Sequence, residues 1–167
     1  MSTIAYKNGV LACDTAMGFN DEISHGVVKI GKTRRYLFGY AGRTSQMLPL
    51  YRWIVKSEKE WITPEDCFMD REALETGGDD VGTAILVAED GRIWEVTTEG
   101  FCIPIPRKIH AIGSGSEYAL GAMAAGASAV DAIGIAGTYN AFTNKDVHTQ
   151  AFNEVNIDPV SPYTICS

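Results

Sequence analysis

The first fourteen residues carry the feature that most constrains how this chain can fold. Strand-forming residues lie on both sides of a turn at Asn8-Gly9, the kind of dipeptide that most strongly favours a tight turn between antiparallel strands. Residues 2–5 and 10–14 are therefore predicted to pair as a hairpin. Because the first strand begins at residue 2, it ties down a chain end that would otherwise fray.

Ser2 adds a candidate nucleophile to this hairpin. Its side chain is small enough for an aminopeptidase to remove Met1, which would place a hydroxyl and an α-amine on one residue. An α-amine has a pKa of about 8, so at neutral pH it can accept the proton of the hydroxyl on the same residue. The structural alternative is that Ser2 and Thr3 are only the polar end of an edge strand.

Size and composition indicate a single globular domain over residues 1–167. The formal net charge of −7 argues against nucleic acid or an anionic membrane as the main partner. The four cysteines show neither a Cys-x-x-Cys motif nor disulfide-framework spacing, which predicts reduced thiols in the cytoplasm. We expect no membrane span and no signal peptide, because no apolar run is long enough and the N-terminus lacks the basic and apolar regions.

The remaining pattern predicts strands grouped between helices. Strands are predicted over residues 27–31, 36–41, 83–89, 92–98 and 109–112. Helices are predicted over residues 48–62, 118–125 and about 128–142. Residues 64–81 are expected to hold at most a short acidic helix, which closes at Gly77-Gly78-Asp79-Asp80 in an exposed loop. This order predicts antiparallel sheets with helices layered outside, so the predicted fold class is α+β, a four-layer α/β/β/α sandwich.

The last predicted helix opens with a capping box and is rich in small residues. Ser128 is followed three positions later by Asp131, the spacing at which side chain and backbone cap each other. Its face includes Gly134 and Gly137, and a glycine inside a helix costs roughly 0.5–1 kcal/mol relative to alanine. We expect close packing against a neighbour to offset that cost.

Several short motifs follow one another in order. Ser2-Thr3-Ile4 opens the chain, and residues 10–14 read Val-Leu-Ala-Cys-Asp. Residues 38–42 read Phe-Gly-Tyr-Ala-Gly, and residues 111–119 read Ala-Ile-Gly-Ser-Gly-Ser-Glu-Tyr-Ala. Ile-Ala-Gly and Phe-Thr-Asn come later, ending at Asn144. Together they resemble the proteasome β-subunit and bacterial HslV family of N-terminal-nucleophile (Ntn) hydrolases over nearly the whole chain.

The resemblance implies a nucleophile and the groups that activate it. Ser2 takes the place of the family's nucleophilic threonine, and its free α-amine would be the general base. Asp14 matches the family's aspartate, and Lys29 matches its lysine, whose charge would lower the pKa of the amine. A second alignment, which follows the hydrophobic pattern of the strand, puts Gly26 at the lysine position and leaves no lysine there.

Four further residues follow from the same resemblance. The backbone N–H of Gly42 corresponds to the donor of the oxyanion hole. Ser114 matches the serine beside the nucleophile that helps to manage the N-terminal proton. Asn140 and Thr143 lie where proteasomes carry an aspartate and a serine in the supporting network.

The implied activity is amide-bond cleavage through Ser2 after removal of Met1, in a homo-oligomeric ring. The expected substrate is a peptide or unfolded protein, and the family implies an ATP-dependent unfoldase that no motif here identifies. One alternative is a non-catalytic ring or scaffold protein, which retained Met1 would favour. The other is a small-molecule amidase or acylase of the same fold.

No cofactor or metal is expected. Gly113-Ser114-Gly115 precedes a predicted helix, but it lacks both the GxGxxG spacing and the Walker lysine of phosphate-binding loops. His25, His110 and His148 are scattered without metal-ligand spacing. Cys13 lies on a strand expected to be buried, which favours inert packing.

Overall fold

A computed structural model describes residues 2–19, 22–42, 51–52, 54–56, 82–97 and 102–154. The strands in these ranges are β1 (Thr3–Lys7), β2 (Val10–Asp14), β3 (Met17–Phe19), β4 (Glu22–Ser24), β5 (Ile30–Lys32), β6 (Tyr36–Ala41), β7 (Thr83–Ala88), β8 (Ile93–Thr97), β9 (Cys102–Ile105), β10 (Ile109–Gly113) and β11 (Val147–Ala151). The helices are α1 (Ser116–Ala124) and α2 (Ala129–Tyr139), and residues 51–52 and 54–56 are also helical. None of the helices in the described ranges is long and apolar enough to cross a membrane.

The strands pair antiparallel. One sheet has the order β10-β1-β2-β11, another has the order β5-β6-β7-β8-β9, and β3 pairs with β4. In the first sheet Thr3 lies opposite Gly113 of β10, and Ile4 lies opposite Cys13 of β2. The N-terminal strand is therefore held on both sides, which fixes the position of Ser2 at one end of this sheet.

The two large sheets pack face to face, and helices cover their outer faces. Small side chains such as Ala5 and Ala12 face α1 and α2, whereas larger side chains such as Ile4 and Leu11 alternate with them and fill the space between the sheets. On the outer face of the second sheet, aromatic side chains pack around Ile54 of the helical segment. The predicted α/β/β/α order is confirmed.

Several boundaries differ from the predictions. The strand predicted over residues 27–31 begins only at Ile30, and the helix predicted to reach residue 142 ends at Tyr139, where Asn140 leaves the helical conformation. The short strands β3, β4 and β9 were not predicted, and β9 contains a proline, which is rare in strand interiors. The predicted helix over 48–62 is described only in part, and the segment 63–81 lies outside the described residues.

Close packing, the expected explanation for glycines inside the helices, applies only to Gly137 among the described helix glycines. A Cβ atom at Gly137 would lie 2.7 Å from the carbonyl oxygen of Asn144, so this glycine permits a close approach of the backbone. At Gly121 and Gly134 a Cβ atom would meet nothing within 4 Å. Close packing therefore does not explain those two residues, and nothing in the described part of the chain does.

Gly113 allows a prediction about the end of the first sheet. Its φ of +92° is unfavourable for other residues, and a Cβ atom would overlap the carbonyl oxygen of Ser2. We expect Gly113→Ala to lower the free energy of unfolding by more than about 2 kcal/mol. The matched control Gly121→Ala should raise it by roughly 0.5–1 kcal/mol, because it improves helix propensity in open space. Urea unfolding of both variants measures this, and a Gly113→Ala protein as stable as the parent would contradict it.

Candidate active site

The carboxylate of Asp14, at the end of β2, is fully buried and accepts three hydrogen bonds. Oδ1 accepts from the backbone N–H of Thr3 and from Nζ of Lys29, both at 2.7 Å. Oδ2 accepts from the backbone N–H of Ala16 at 3.1 Å. One side chain thus joins the start of β1, the lysine that precedes β5 and the turn after β2. Its charge is balanced by a cation and backbone dipoles.

Lys29 immediately precedes β5 and is 5% exposed. Its Nζ forms an ion pair with Asp14, and its backbone carbonyl accepts from the N–H of Tyr40 at 3.1 Å. Burial lowers the pKa of Lys29 below 10.5, and Asp14 opposes that shift. Gly26, the other candidate for the lysine position, is exposed, with a φ of +81°. The structure therefore brings Lys29, and not Gly26, to Asp14.

Ser2 lies between this ion pair and the start of α1. Its neighbour Thr3 donates to Asp14 on one side. On the other side the Ser2 carbonyl accepts from the backbone N–H of Ser114 at 2.8 Å, with the Ser114 hydroxyl at 3.4 Å. Ser2 itself is 6% exposed. The backbone of the candidate nucleophile is therefore held from both ends.

Gly42 directly follows β6. The last residue of β6, Ala41, and the carbonyl of Ser2 both lie close to Gly113. A Cβ atom at Gly113 would overlap the Ser2 carbonyl oxygen and lie 3.2 Å from Cβ of Ala41. A Cβ atom at Gly42 would overlap the hydroxyl of Tyr40 and lie 2.8 Å from Cα of Gly82. Only glycine fits at position 42 without rearrangement. Its role as an oxyanion donor stays a prediction.

Asn140 and Thr143 follow α2 and contact the residues around Ser2. The Asn140 amide donates to the carbonyl of Ser114 at 2.8 Å, and its oxygen accepts from the Thr143 hydroxyl at 3.2 Å. The Thr143 hydroxyl in turn lies 2.5 Å from that of Thr3. Thr3 was missed as a site residue. Strand alternation puts Thr3 on the same face as Ala5, which packs against the helices. A hydroxyl on that buried face needs a hydrogen-bond partner, and this could have indicated Thr3 as a site residue.

A partly open groove adjoins these residues and was also not predicted. It is lined by Ala16, Gly18, Ile23, His25, Ala141, Phe142, Thr143 and Asn144. Asn144, which lines one side of the groove, forms hydrogen bonds with Thr15 and with His25, which lines the other side. Its oxygen accepts from the Thr15 N–H at 3.0 Å, and its amide donates to the Thr15 hydroxyl at 2.8 Å and to Nδ1 of His25 at 3.0 Å.

Among the described residues, no group of three or more histidine, cysteine or acidic side chains is arranged to hold a metal ion. The Asp14 carboxylate is already occupied by Lys29 and two backbone donors. Cys13, beside it in β2, is fully buried, and burial raises the pKa of its thiol to about 11. The site thus offers hydroxyls, a buried ammonium and backbone donors for chemistry.

Neither a protein-family model nor a curated protein sequence matches this chain. Among solved structures it is similar to eukaryotic HslV from Trypanosoma brucei, with a TM-score of 0.69 and 18% sequence identity. The match covers 89% of this chain and 97% of that one. The chain therefore has the HslV- and proteasome-type fold of Ntn hydrolases. At this identity the similarity shows the fold alone.

Cys13 gives this site a measurable pH signature. Between pH 9 and 11 the unfolded thiol releases its proton, whereas the folded thiol keeps it, because burial raises its pKa from 9.0 to about 11. Stability from this group is complete below pH 9 and is lost as the pH rises toward 11. We expect the difference in unfolding free energy between the parent and Cys13→Ala to fall by about 2–3 kcal/mol over that window. Urea titrations measure it, and parallel pH curves would contradict the burial argument.

Proposed function

We propose that this chain is an Ntn amide hydrolase that cleaves peptide bonds through Ser2 after Met1 has been removed. The observation that carries the proposal is the buried ion pair of Lys29 and Asp14, bonded to the residue next to Ser2. Met1 itself lies outside the described residues.

A buried ion pair is weak evidence for stability. Removing two charges from water costs several kcal/mol per ion, and hydrophobic replacements of similar volume are often as stable. A buried lysine with a lowered pKa and a specific charge partner is instead a feature of functional sites. The contact of Asp14 with Thr3 supports this interpretation, because it holds the ammonium beside the chain start.

The roles follow from this arrangement. The Ser2 hydroxyl attacks the substrate carbonyl, and the Ser2 α-amine takes its proton. The nearby charge of Lys29 favours the neutral, accepting form of that amine. The Gly42 N–H would stabilise the oxyanion. The amine then passes its proton to the leaving nitrogen, and water, deprotonated by the same amine, hydrolyses the acyl-serine ester and restores Ser2.

Thr3 is an unsuitable nucleophile although it resembles the family's threonine in type. Its side chain is fully buried, and its hydroxyl contacts both Thr143 and the N–H of Gly115. Its backbone nitrogen is an amide that donates to Asp14 and so cannot serve as a base. Ser2 is the residue whose hydroxyl and amine become available together.

The resemblance to proteasome β-subunits and HslV extends the proposal to a homo-oligomeric ring in the cytoplasm, acting on peptides or unfolded proteins delivered by an ATP-dependent unfoldase. Exposed apolar side chains on the helix layer support a subunit contact: Tyr118, Val130, Ile135 and Tyr139. The groove beside Thr143 supports an extended substrate. The second candidate is a non-catalytic ring protein, which a retained Met1 would favour because the amine would then be blocked.

Acylation of Ser2 tests the proposal. The purified protein should have an intact mass that lacks Met1, and it should gain one acyl group from a peptide β-lactone. Ser2→Ala should gain none, whereas the control Ser24→Ala, changed at an exposed serine of β4, should react like the parent. A retained Met1, or an adduct that survives in Ser2→Ala, would overturn the proposal.

Lys29 should affect the rate of that reaction. We expect Lys29→Met to slow acylation by about 10²–10⁴-fold, the usual contribution of a group that sets up general-base catalysis. Lys145→Met changes an exposed lysine and should leave the rate within about threefold of the parent's. Circular dichroism checks that each variant is folded. A folded Lys29→Met protein that reacts at the parental rate would contradict the role of the ion pair.

A further inference from the structure

The peptide group between Ser114 and Gly115 is held at both ends. It lies where β10 turns into α1, directly after Gly113 with its left-handed φ of +92°. Its N–H, from Gly115, donates to Oγ1 of Thr3 at 3.0 Å. Its carbonyl, from Ser114, accepts from Nδ2 of Asn140 at 2.8 Å. The two partners are themselves connected.

The connection runs through two threonine hydroxyls. Thr3 Oγ1 lies 2.5 Å from Thr143 Oγ1, and Thr143 Oγ1 lies 3.2 Å from Oδ1 of Asn140. The hydrogen bonds therefore form a closed ring through Thr3, Thr143 and Asn140 that begins and ends on the same peptide group. We call this set of contacts the threonine ring.

The direction of each hydrogen bond in the ring follows from its neighbours. Oδ1 of Asn140 also accepts from the backbone N–H of Phe142 at 2.9 Å, so the amide oxygen faces Thr143 and its nitrogen faces Ser114. Thr143 then donates to Asn140, which leaves Thr3 to donate to Thr143. Each hydroxyl gives one hydrogen bond and receives one, and bonds that run in one direction strengthen each other.

We propose that Thr3 is a positioning residue that fixes the Ser114–Gly115 peptide plane, and through it the Ser114 N–H and hydroxyl that face Ser2. The inference rests on the proposed function only for its catalytic consequence. The ring also fills its space: a Cβ atom at Gly115 would overlap Oγ1 of Thr3 and lie 2.8 Å from Oγ1 of Thr143.

The first readout is hydrogen exchange at the Gly115 amide, which does not depend on activity. Thr3→Val keeps the shape but removes the acceptor, so Gly115 should exchange at least about tenfold faster relative to core amides such as Leu86. Thr3→Ser retains the hydroxyl and should stay within about threefold of the parent. Thr149→Val, at an exposed threonine of β11, is the matched control and should change nothing.

The second readout is acylation of Ser2. Thr3→Val should slow it about 10- to 100-fold through misplacement of Ser114, and Thr3→Ser should restore it. Thr143→Val should act like Thr3→Val, and the double variant should be no slower than either single one, because all three break one ring. The Thr143→Val protein also tests the ring if Thr3→Val fails to fold.

Three results would overturn the inference: unchanged exchange at Gly115 in Thr3→Val, failure of Thr3→Ser to rescue, or additive effects in the double variant. If the parent itself is not acylated, the proposed function fails, and the exchange experiment still decides whether the threonine ring exists.

Discussion

The buried carboxylate of Asp14 is the interaction on which the rest of the site depends. It holds the first backbone N–H of β1, the Lys29 ammonium and the turn after β2 at once. A carboxylate removed from water needs such donors, and the chain supplies them from three separate segments. The same contacts that satisfy the charge also bring the start of β1, the residue before β5 and the turn after β2 together.

The sizes of the side chains on the two faces of the first sheet determine how closely the neighbouring elements approach the site. Alanines on the helix-facing side of the first sheet let α1 and α2 lie close to it, so the loop after α2 reaches Thr3 through Thr143. Larger aliphatic side chains on the other face set the spacing to the second sheet, and Lys29 lies immediately before the first strand of that sheet. Gly113 then allows the Ser2 backbone to approach without a clash. The alternation of small and large side chains along β1 and β2 therefore sets both the packing of the layers and the position of the site residues.

Local patterns predicted the parts that local physics controls. Asn8-Gly9 gave the hairpin, because both residues adopt the positive φ values that such a turn needs. Ser128 and Asp131 gave the start of α2, because the cap involves only neighbours in the chain. By contrast, β9 and the β3–β4 ribbon are short and contain strand-breaking residues, so their pairing depends on the sheets around them.

In the site, too, residues indicated by local motifs could be predicted, whereas residues defined by distant contacts could not. Ser2 and Asp14 could be chosen from the hairpin and its motifs, but alignment left the lysine position open between Lys29 and Gly26. The fold places the Lys29 ammonium beside Asp14 and leaves Gly26 exposed, which supports Lys29 for that position. Thr3 was not predicted, because the partners of its hydroxyl lie more than a hundred residues away in the sequence.

A crystal structure of the chain after reaction with a slowly hydrolysed acylating peptide would show whether Ser2 is the nucleophile. We expect an ester on the Ser2 hydroxyl, a free Ser2 amine, and the ester carbonyl oxygen about 2.7–3.1 Å from the Gly42 nitrogen. Lys29 and Asp14 should remain paired beside it. Met1 still attached to an unmodified Ser2 would contradict the account and favour a non-catalytic protein of the same fold.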